Sequence, residues 1–90
     1  MTTKSILKEI VYICSLYGAK EVILFGSRAK GTAIERSDFD IAVKGVSDFD
    51  RLSEDIENID TLYKIDIIEL EKCKNELLLE DIKKYGRKIL

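Results

Sequence analysis

The sequence predicts a small α+β domain whose elements follow the order α-β-α-β-α-β-α, with helices covering a three-stranded mixed sheet. Short apolar runs typical of strands alternate with segments in which apolar residues recur at helical spacing. Ninety residues with 46% hydrophobic content suffice for one modest core, so we expect residues 1–90 to form a single domain. A short return between the first two strands favours antiparallel pairing, and a crossover of about twenty residues favours a parallel third strand.

A first helix is predicted from the threonines at the start of the chain to about Tyr17. Thr2 or Thr3 can cap it, and Gly18 is a suitable stop. Cys14 belongs to the apolar stripe and is expected in the core. The other members of this stripe are Ile6, Leu7, Ile10, Val11, Ile13 and Tyr17.

The first strand is predicted at Glu21 to Phe25, because Val22 to Phe25 is a continuous apolar run. A short helix from Ser27 to about Gly31 follows. The second strand is predicted at Asp38 to Lys44, where polar and apolar residues alternate as in a strand with one exposed face.

A third helix is predicted from Asp48 to about Asn58 or Ile59. Ser47 can cap it, with Asp50 as a weaker version of the capping box. The residues expected to face inward are Phe49, Leu52, Ile56 and Ile59.

The third strand is predicted at Tyr63 to Leu70, and the last helix at about Lys74 to Tyr85, ended by Gly86. Arg87 to Leu90 can add a short edge strand. The residues of the last helix expected to face inward are Leu77, Leu78, Ile82 and Tyr85.

Gly26 and Ser27 form a candidate phosphate site where the first strand ends. A strand that ends in Gly-Ser and turns into a helix offers an anion free backbone N–H groups, and the glycine lets the backbone approach closely. A triphosphate fits these properties.

Asp38 and Asp40 form a candidate metal-ligand pair at the start of the second strand. Residues two apart on a strand point to the same side, about 6.6 Å apart, so both carboxylates can serve one cation or a pair. Hard carboxylate oxygens suit Mg²⁺. The alternative reading of either motif alone is structural, a commonplace turn and a solvated strand edge.

Together these residues resemble the DNA polymerase β-like nucleotidyltransferase superfamily. The resemblance is carried by Gly-Ser-Arg-Ala-Lys-Gly-Thr-Ala at residues 26–33 and Ser-Asp-Phe-Asp-Ile-Ala-Val at residues 37–43, and it extends from about Val22 to Leu70. Within the superfamily the chain is most similar to the minimal nucleotidyltransferases, short proteins usually encoded beside a HEPN-domain ribonuclease. The resemblance implies the polymerase β-like nucleotidyltransferase core.

That family carries a third carboxylate on a later strand, and Asp66 is the candidate here. A lone aspartate in an isoleucine-rich strand is unfavourable for strand propensity and needs a reason. An exposed position at a sheet edge is the structural alternative. Glu69 is the competing residue, but it is expected on the opposite face from Asp66.

The resemblance implies metal-dependent transfer of AMP from an NTP, with ATP the expected substrate, to an acceptor hydroxyl. It implies that Asp38 and Asp40 hold two Mg²⁺ ions, and that Asp66 completes the acceptor-side metal and can act as general base.

The same resemblance assigns the β- and γ-phosphates of the NTP to Gly26 and Ser27. Arg28 and Lys30 are further candidate nucleotide contacts. Their structural alternative is solvated charge on a short helix.

The resemblance also implies a partner, because larger relatives cover the nucleotide with a helical domain for which this sequence has no residues left. The expected partner is a HEPN-domain toxin, with a toxin tyrosine as acceptor, although a second copy of the chain could also supply the missing wall. Two alternatives stay open: a non-catalytic antitoxin that acts by surface occlusion, and an adenylyltransferase for small molecules.

Composition excludes several other functions. Fifteen basic and seventeen acidic residues give a net charge of -2 without a basic block, so direct nucleic-acid binding is not expected. The chain has no histidine, which excludes histidine ligation and catalysis. Cys14 and Cys73 suggest neither a disulfide nor a zinc site. Without a signal-peptide pattern or a membrane span, the expected location is the cytoplasm.

Overall fold

The computed structural model describes residues 2–34 and 37–90. Within these ranges no helix is long and apolar enough to cross a membrane. In chain order the elements of the described residues are α1 (Thr3–Leu16), β1 (Glu21–Phe25), α2 (Ser27–Lys30), β2 (Phe39–Lys44), α3 (Phe49–Glu57), β3 (Ile65–Glu69), a 3₁₀ turn (Leu70–Lys72), α4 (Glu76–Tyr85) and β4 (Arg87–Lys88).

The sheet has the strand order β3-β2-β1-β4 across the described residues. β1 runs antiparallel to β2, and β3 runs parallel to β2, so both predicted strand directions are confirmed. The expected three-stranded sheet is one strand too small, because β4 pairs antiparallel with β1. The proposed edge strand at the end of the chain is thus present, though it is only two residues long.

Helices pack on both faces of the sheet, and strand alternation decides which residues meet which helix. Phe39, Ile41 and Val43 of β2 join the larger core cluster with α1 and α3. Ala42 points the other way and packs with Phe25 and with Ile82 of α4. Side chains of β2 and β3 in phase with Ala42 therefore lie on the α4 face, and these include Asp40.

The helix caps were predicted in part. The Thr2 hydroxyl accepts a hydrogen bond from the backbone N–H of Ser5 at 3.1 Å, as expected for the start of α1. For α3 the predicted cap was one residue early: the Asp48 carboxylate accepts from the N–H of Arg51 at 3.2 Å, whereas the Ser47 hydroxyl donates to the Tyr17 carbonyl. Ser47 is thus occupied in joining the α3 entry to the end of α1.

The inward face of α4 is narrower than its sequence predicts. Ile82 is buried and Leu78 packs beside it, but Leu77 and Tyr85 are 79% and 43% exposed. The helix also begins at Glu76 rather than Lys74, because the Asn75 side chain caps it by accepting from the N–H of Leu78. The stripe of α4 that packs on the sheet runs through Leu78 and Ile82, which join the smaller core cluster with Phe25 and Ala42.

Candidate active site

The Gly26–Ser27 turn sits directly against one of the predicted carboxylates. Gly26 has φ 74°, a conformation that side chains rarely adopt, and its carbonyl accepts from the N–H groups of Ala29 and Lys30 to start α2. A Cβ built on Gly26 would lie 2.2 Å from Oδ2 of Asp40. Glycine is therefore required here twice, by the backbone conformation and by the close approach of the Asp40 carboxylate.

Strand register brings the predicted aspartates to one end of the sheet. Asp40 lies opposite Phe25, the last residue of β1, and beside Asp66 of β3. Neighbouring strands are about 4.8 Å apart, so the two carboxylates, which share a face, are close neighbours. Asp38 is exposed just before β2 begins. Glu69 lies three positions farther along, beside Val43, and pairs with Lys72 at 3.6 Å.

The charges of this group act on one another. Partial burial is the main cause that raises the pKa of Asp40 above its ordinary value of 3.8, and the negative charges of Asp66 and Asp38 raise it further. Lys64 works in the opposite direction. The site thus holds like charges that a bound cation would stabilise.

Lys64 is a residue of this site that the sequence reasoning missed. Its Nζ atom lies 3.6 Å from Oδ1 of Asp66, whose side chain stays 45% exposed. The Lys64 carbonyl also accepts a hydrogen bond from the N–H of Phe39 at 2.9 Å, which joins the entries of β2 and β3. The signal was available, because residues two apart on a strand share a face.

The two candidate cations of α2 have partners within the fold. Lys30 forms an ion pair with Asp81 of α4 at 2.8 Å, and its Nζ lies 5.1 Å from the centre of the Tyr85 ring. Arg28 donates to the carbonyl of Ser37. Lys30 thus links α2, which follows the Gly26–Ser27 turn, to α4, while contacts of either cation with a nucleotide stay predictions.

The donor set fits a divalent cation even though it is not fully assembled. No group of three or more carboxylate or thiol side chains within residues 2–34 and 37–90 is arranged to hold a metal ion as it stands. The raised pKa of Asp40 nevertheless places Asp38 and Asp66 within electrostatic reach of it. Carboxylate oxygens are the ligands Mg²⁺ prefers, and the exposed Asp38 and half-exposed Asp66 are both accessible to a cation.

A cleft of about 240 Å³ borders Asp66 on the side of the sheet edge. Its lining is mixed, with isoleucine side chains beside charged and hydroxyl-bearing ones. The lining residues are Ile56, Glu57, Ile59, Thr61, Tyr63, Lys64, Ile65 and Asp66. Its isoleucines and Tyr63 belong to the core cluster of α1 and α3, so the cleft opens on the α3 side of the sheet edge, whereas the Asp66 side chain shares the α4 face with Asp40.

Comparison with known proteins gives one family. The family model described as "Polymerase beta, Nucleotidyltransferase" matches residues 8–90. No curated protein matches the chain.

Solved structures share the fold at low sequence identity. A toxin-antitoxin crystal structure with AMP-PNP gives a TM-score of 0.73 at 22% identity, covering 93% of this chain and 72% of that chain. The toxin-antitoxin MntA-HpeT carrying two aspartate-to-glutamate substitutions gives 0.72 at 19% identity with the same coverages. A tyrosine-to-alanine mutant of MntA-HpeT gives 0.62 at 18% identity, covering 100% of this chain and 73% of that chain.

Proposed function

Since the chain belongs to the polymerase beta nucleotidyltransferase family, we propose that it transfers AMP from ATP to an acceptor hydroxyl and releases pyrophosphate. The observation that carries this proposal is the contact between the glycine turn and the carboxylates: Gly26 lies against Asp40, and Asp40 lies beside Asp66. A phosphate site and an acidic site are thereby adjacent. An NTP that carries Mg²⁺ needs both.

The Gly26–Ser27 turn binds the β- and γ-phosphates in this proposal. The support for this assignment is the backbone of the turn. Gly26 has no side chain in the space between the turn and Asp40, where a Cβ would collide with the carboxylate. A further support is that one solved structure sharing the fold is a toxin-antitoxin with AMP-PNP. Ser27 adds one hydroxyl to the N–H groups of the turn.

Asp38 and Asp40 would hold Mg²⁺, as two ions, and Asp66 would complete the acceptor-side position. Bound Mg²⁺ stabilises negative charge on the attacking and leaving oxygens of an in-line displacement. Lys64 offsets part of the negative charge of Asp66, with which it forms an ion pair, and of Asp40.

Asp66 is the proposed general base. The acceptor oxygen attacks the α-phosphorus of ATP, the bond from that phosphorus to the bridging oxygen of pyrophosphate breaks, and the hydroxyl proton passes to the Asp66 carboxylate. Partial exposure of this side chain leaves room for an acceptor group.

The acceptor we propose is a tyrosine of a HEPN-domain ribonuclease toxin, which makes the protein a catalytic antitoxin. This step is supported by the resemblance to the minimal nucleotidyltransferases and by solved neighbours that are toxin-antitoxin structures. The second candidate function is that of a non-catalytic antitoxin that blocks its toxin by covering the toxin surface. The same neighbours support this alternative, because they are also toxin-antitoxin structures.

The test is to incubate the protein with ATP, Mg²⁺ and the product of the neighbouring gene, and to measure intact mass. We expect the toxin to gain AMP with wild type and with Asp60→Asn, a control at an exposed loop aspartate. Asp66→Asn should bind nucleotide but lose transfer by several orders of magnitude.

Two outcomes would change the proposal. A tight complex with wild type and no gain in toxin mass would favour the occluding antitoxin, or a small-molecule acceptor if aminoglycosides are modified instead. Equal gain with wild type and Asp66→Asn would keep the enzyme and remove Asp66 as its base.

A further inference from the structure

Arg28 holds the backbone that leads into the aspartate pair. Its Nε and Nη2 atoms both donate to the carbonyl of Ser37, at 3.0 Å and 2.7 Å. Ser37 immediately precedes Asp38. Arg28 of α2 therefore fixes the backbone at Ser37, one residue before the Asp38 carboxylate.

The same guanidinium packs against two aromatic rings. Its central carbon lies 4.1 Å from the centre of the Phe39 ring and 5.1 Å from that of Tyr63. The two rings meet edge to face at 5.4 Å with an angle of 89°. Phe39 is fully buried, so this packing is anchored in the core.

These contacts join the three segments that carry the candidate site. Arg28 follows the glycine turn directly, Phe39 separates Asp38 from Asp40, and Tyr63 stands at the entry to the strand that carries Asp66. The N–H of Phe39 bonds to the carbonyl of Lys64, so the β2 and β3 entries are also tied by backbone.

We propose that Arg28 is a positioning residue, which sets Asp38 and Asp66 relative to the Gly26–Ser27 turn by gripping the Ser37 carbonyl and packing on Phe39 and Tyr63. Its consequence for metal-nucleotide binding rests on the proposed function. A lysine could not replace it, because an ammonium lacks the planar fork that places two N–H groups on one acceptor while its face packs on a ring.

A positioning role and a direct phosphate contact differ in their dependence on metal. A phosphate ligand strengthens binding of ATP with or without Mg²⁺, and lysine retains much of that attraction. A residue that acts through the carboxylates matters only when a divalent ion bridges them to the nucleotide.

The experiment measures ATP affinity by calorimetry in EDTA and in Mg²⁺ for Arg28→Lys, with Arg87→Lys on β4 as a matched control. We expect Arg28→Lys to lose about 10–100-fold in affinity in Mg²⁺, the usual effect of removing an outer-shell partner of a metal ligand. Affinity in EDTA should be unchanged. Tyr63→Leu, which leaves the cation in place, should weaken binding in the same metal-dependent way.

Other outcomes overturn the positioning role. An equal loss in EDTA and in Mg²⁺ would make Arg28 a direct phosphate ligand, and no loss in either would deny it any role in the site. If wild type itself gains nothing from Mg²⁺, the proposed function fails. ¹H–¹⁵N spectra then decide the positioning role separately: the Asp38 and Lys64 amide signals should move in Arg28→Lys but not in Arg87→Lys, and unmoved signals would refute it.

Discussion

Asp40 is the residue on which the geometry of the site converges. Its carboxylate is pressed against the glycine turn, partly buried, and flanked in the strands by Asp66 and in sequence by Asp38. Burial and like charge both favour its protonated form, so the native fold binds this proton more tightly than the unfolded chain does. At neutral pH the ionised Asp40 carboxylate therefore lowers the free energy of unfolding.

Asp40→Asn should have an equal or higher melting temperature than wild type at neutral pH without metal, yet lose Mg²⁺-dependent nucleotide binding. Because the pKa of Asp40 is raised in the fold, protonation of this carboxylate favours the native state over the unfolded chain. This stabilisation is complete at pH values below the ordinary pKa of 3.8, and it is lost as the pH rises through the higher pKa of the folded protein. The difference between variant and wild type should therefore shrink as pH falls.

Melts followed by circular dichroism across this pH range, paired with nucleotide titrations at neutral pH, check this prediction. Asp60→Asn serves as the exposed control. A variant that is less stable than wild type at neutral pH would make Asp40 a structural residue rather than a functional one.

Gly26 allows a second prediction at residue scale, because Gly31 at the other end of α2 offers a comparison. Both have positive φ, 74° and 77°, but Gly26 has ψ -155°, a region almost confined to glycine, whereas Gly31 is left-handed helical with ψ 14° and a Cβ there would have no atom within 4 Å. Gly31→Ala should cost only the backbone strain, about 1–2 kcal/mol. Gly26→Ala should cost more and displace the Asp40 carboxylate.

Urea unfolding of both variants provides the comparison, with ATP affinity in Mg²⁺ measured for Gly26→Ala. Equal losses of stability, together with wild-type affinity in Gly26→Ala, would remove the turn from the site.

At the scale of elements, α4 lies on the same sheet face as the Asp40 and Asp66 carboxylates and is joined to α2, which follows the Gly26–Ser27 turn. Its Ile82 packs with Phe25 and Ala42, and its Asp81 pairs with Lys30 of α2. Because Lys30 is also near the Tyr85 ring, the position of α4 and that of α2 are coupled. Loosening α4 should therefore affect the Gly26–Ser27 turn as well as the core.

Ile82→Ala should destabilise the fold by about 2–5 kcal/mol, since it removes a buried side chain from the smaller core cluster. Leu77→Ala, on the exposed side of the same helix, should change stability by less than about 0.5 kcal/mol. Denaturant unfolding measures both. Similar losses for the two variants would contradict the packing described for α4.

The sequence predicted the strands and the acidic site because both depend on local patterns and on connection lengths. The parallel crossover placed Asp66 near the same end of the sheet as Asp40, and the structure adds the register that pairs the two residues. The sequence did not predict the face of α4, since Leu77, Leu78 and Leu79 are consecutive and only contact with the sheet selects among them.

Tertiary contacts also explain the site residues whose roles sequence alone could not assign. The link from Arg28 to Ser37 spans nine residues of sequence, and the packing on Tyr63 spans far more. From sequence alone, a basic residue directly after the Gly26–Ser27 turn is interpreted as a phosphate contact. Which carbonyl its guanidinium reaches depends on the folded arrangement.

For the whole molecule, charge balance determines how ATP can bind. The chain has a net charge of -2, and three of its carboxylates lie at the candidate site, close to the proposed phosphate turn. A polyanionic nucleotide alone would be repelled by these charges. We therefore expect Mg²⁺ to be a condition of tight binding rather than a modest improvement.

Stability of the whole fold reports this coupling without any assay of transfer. A ligand that binds only the native state at 100 times its Kd adds about 2.7 kcal/mol to the free energy of unfolding. For a domain of this size that corresponds to a rise of about 10–20 °C in Tm. ATP with Mg²⁺ should give such a rise in wild type. ATP in EDTA, Mg²⁺ alone, or both ligands with Asp40→Asn should give little. Melting by calorimetry in these four conditions is the measurement, and an equal rise with ATP in EDTA would show that the carboxylates do not bind the nucleotide through a metal.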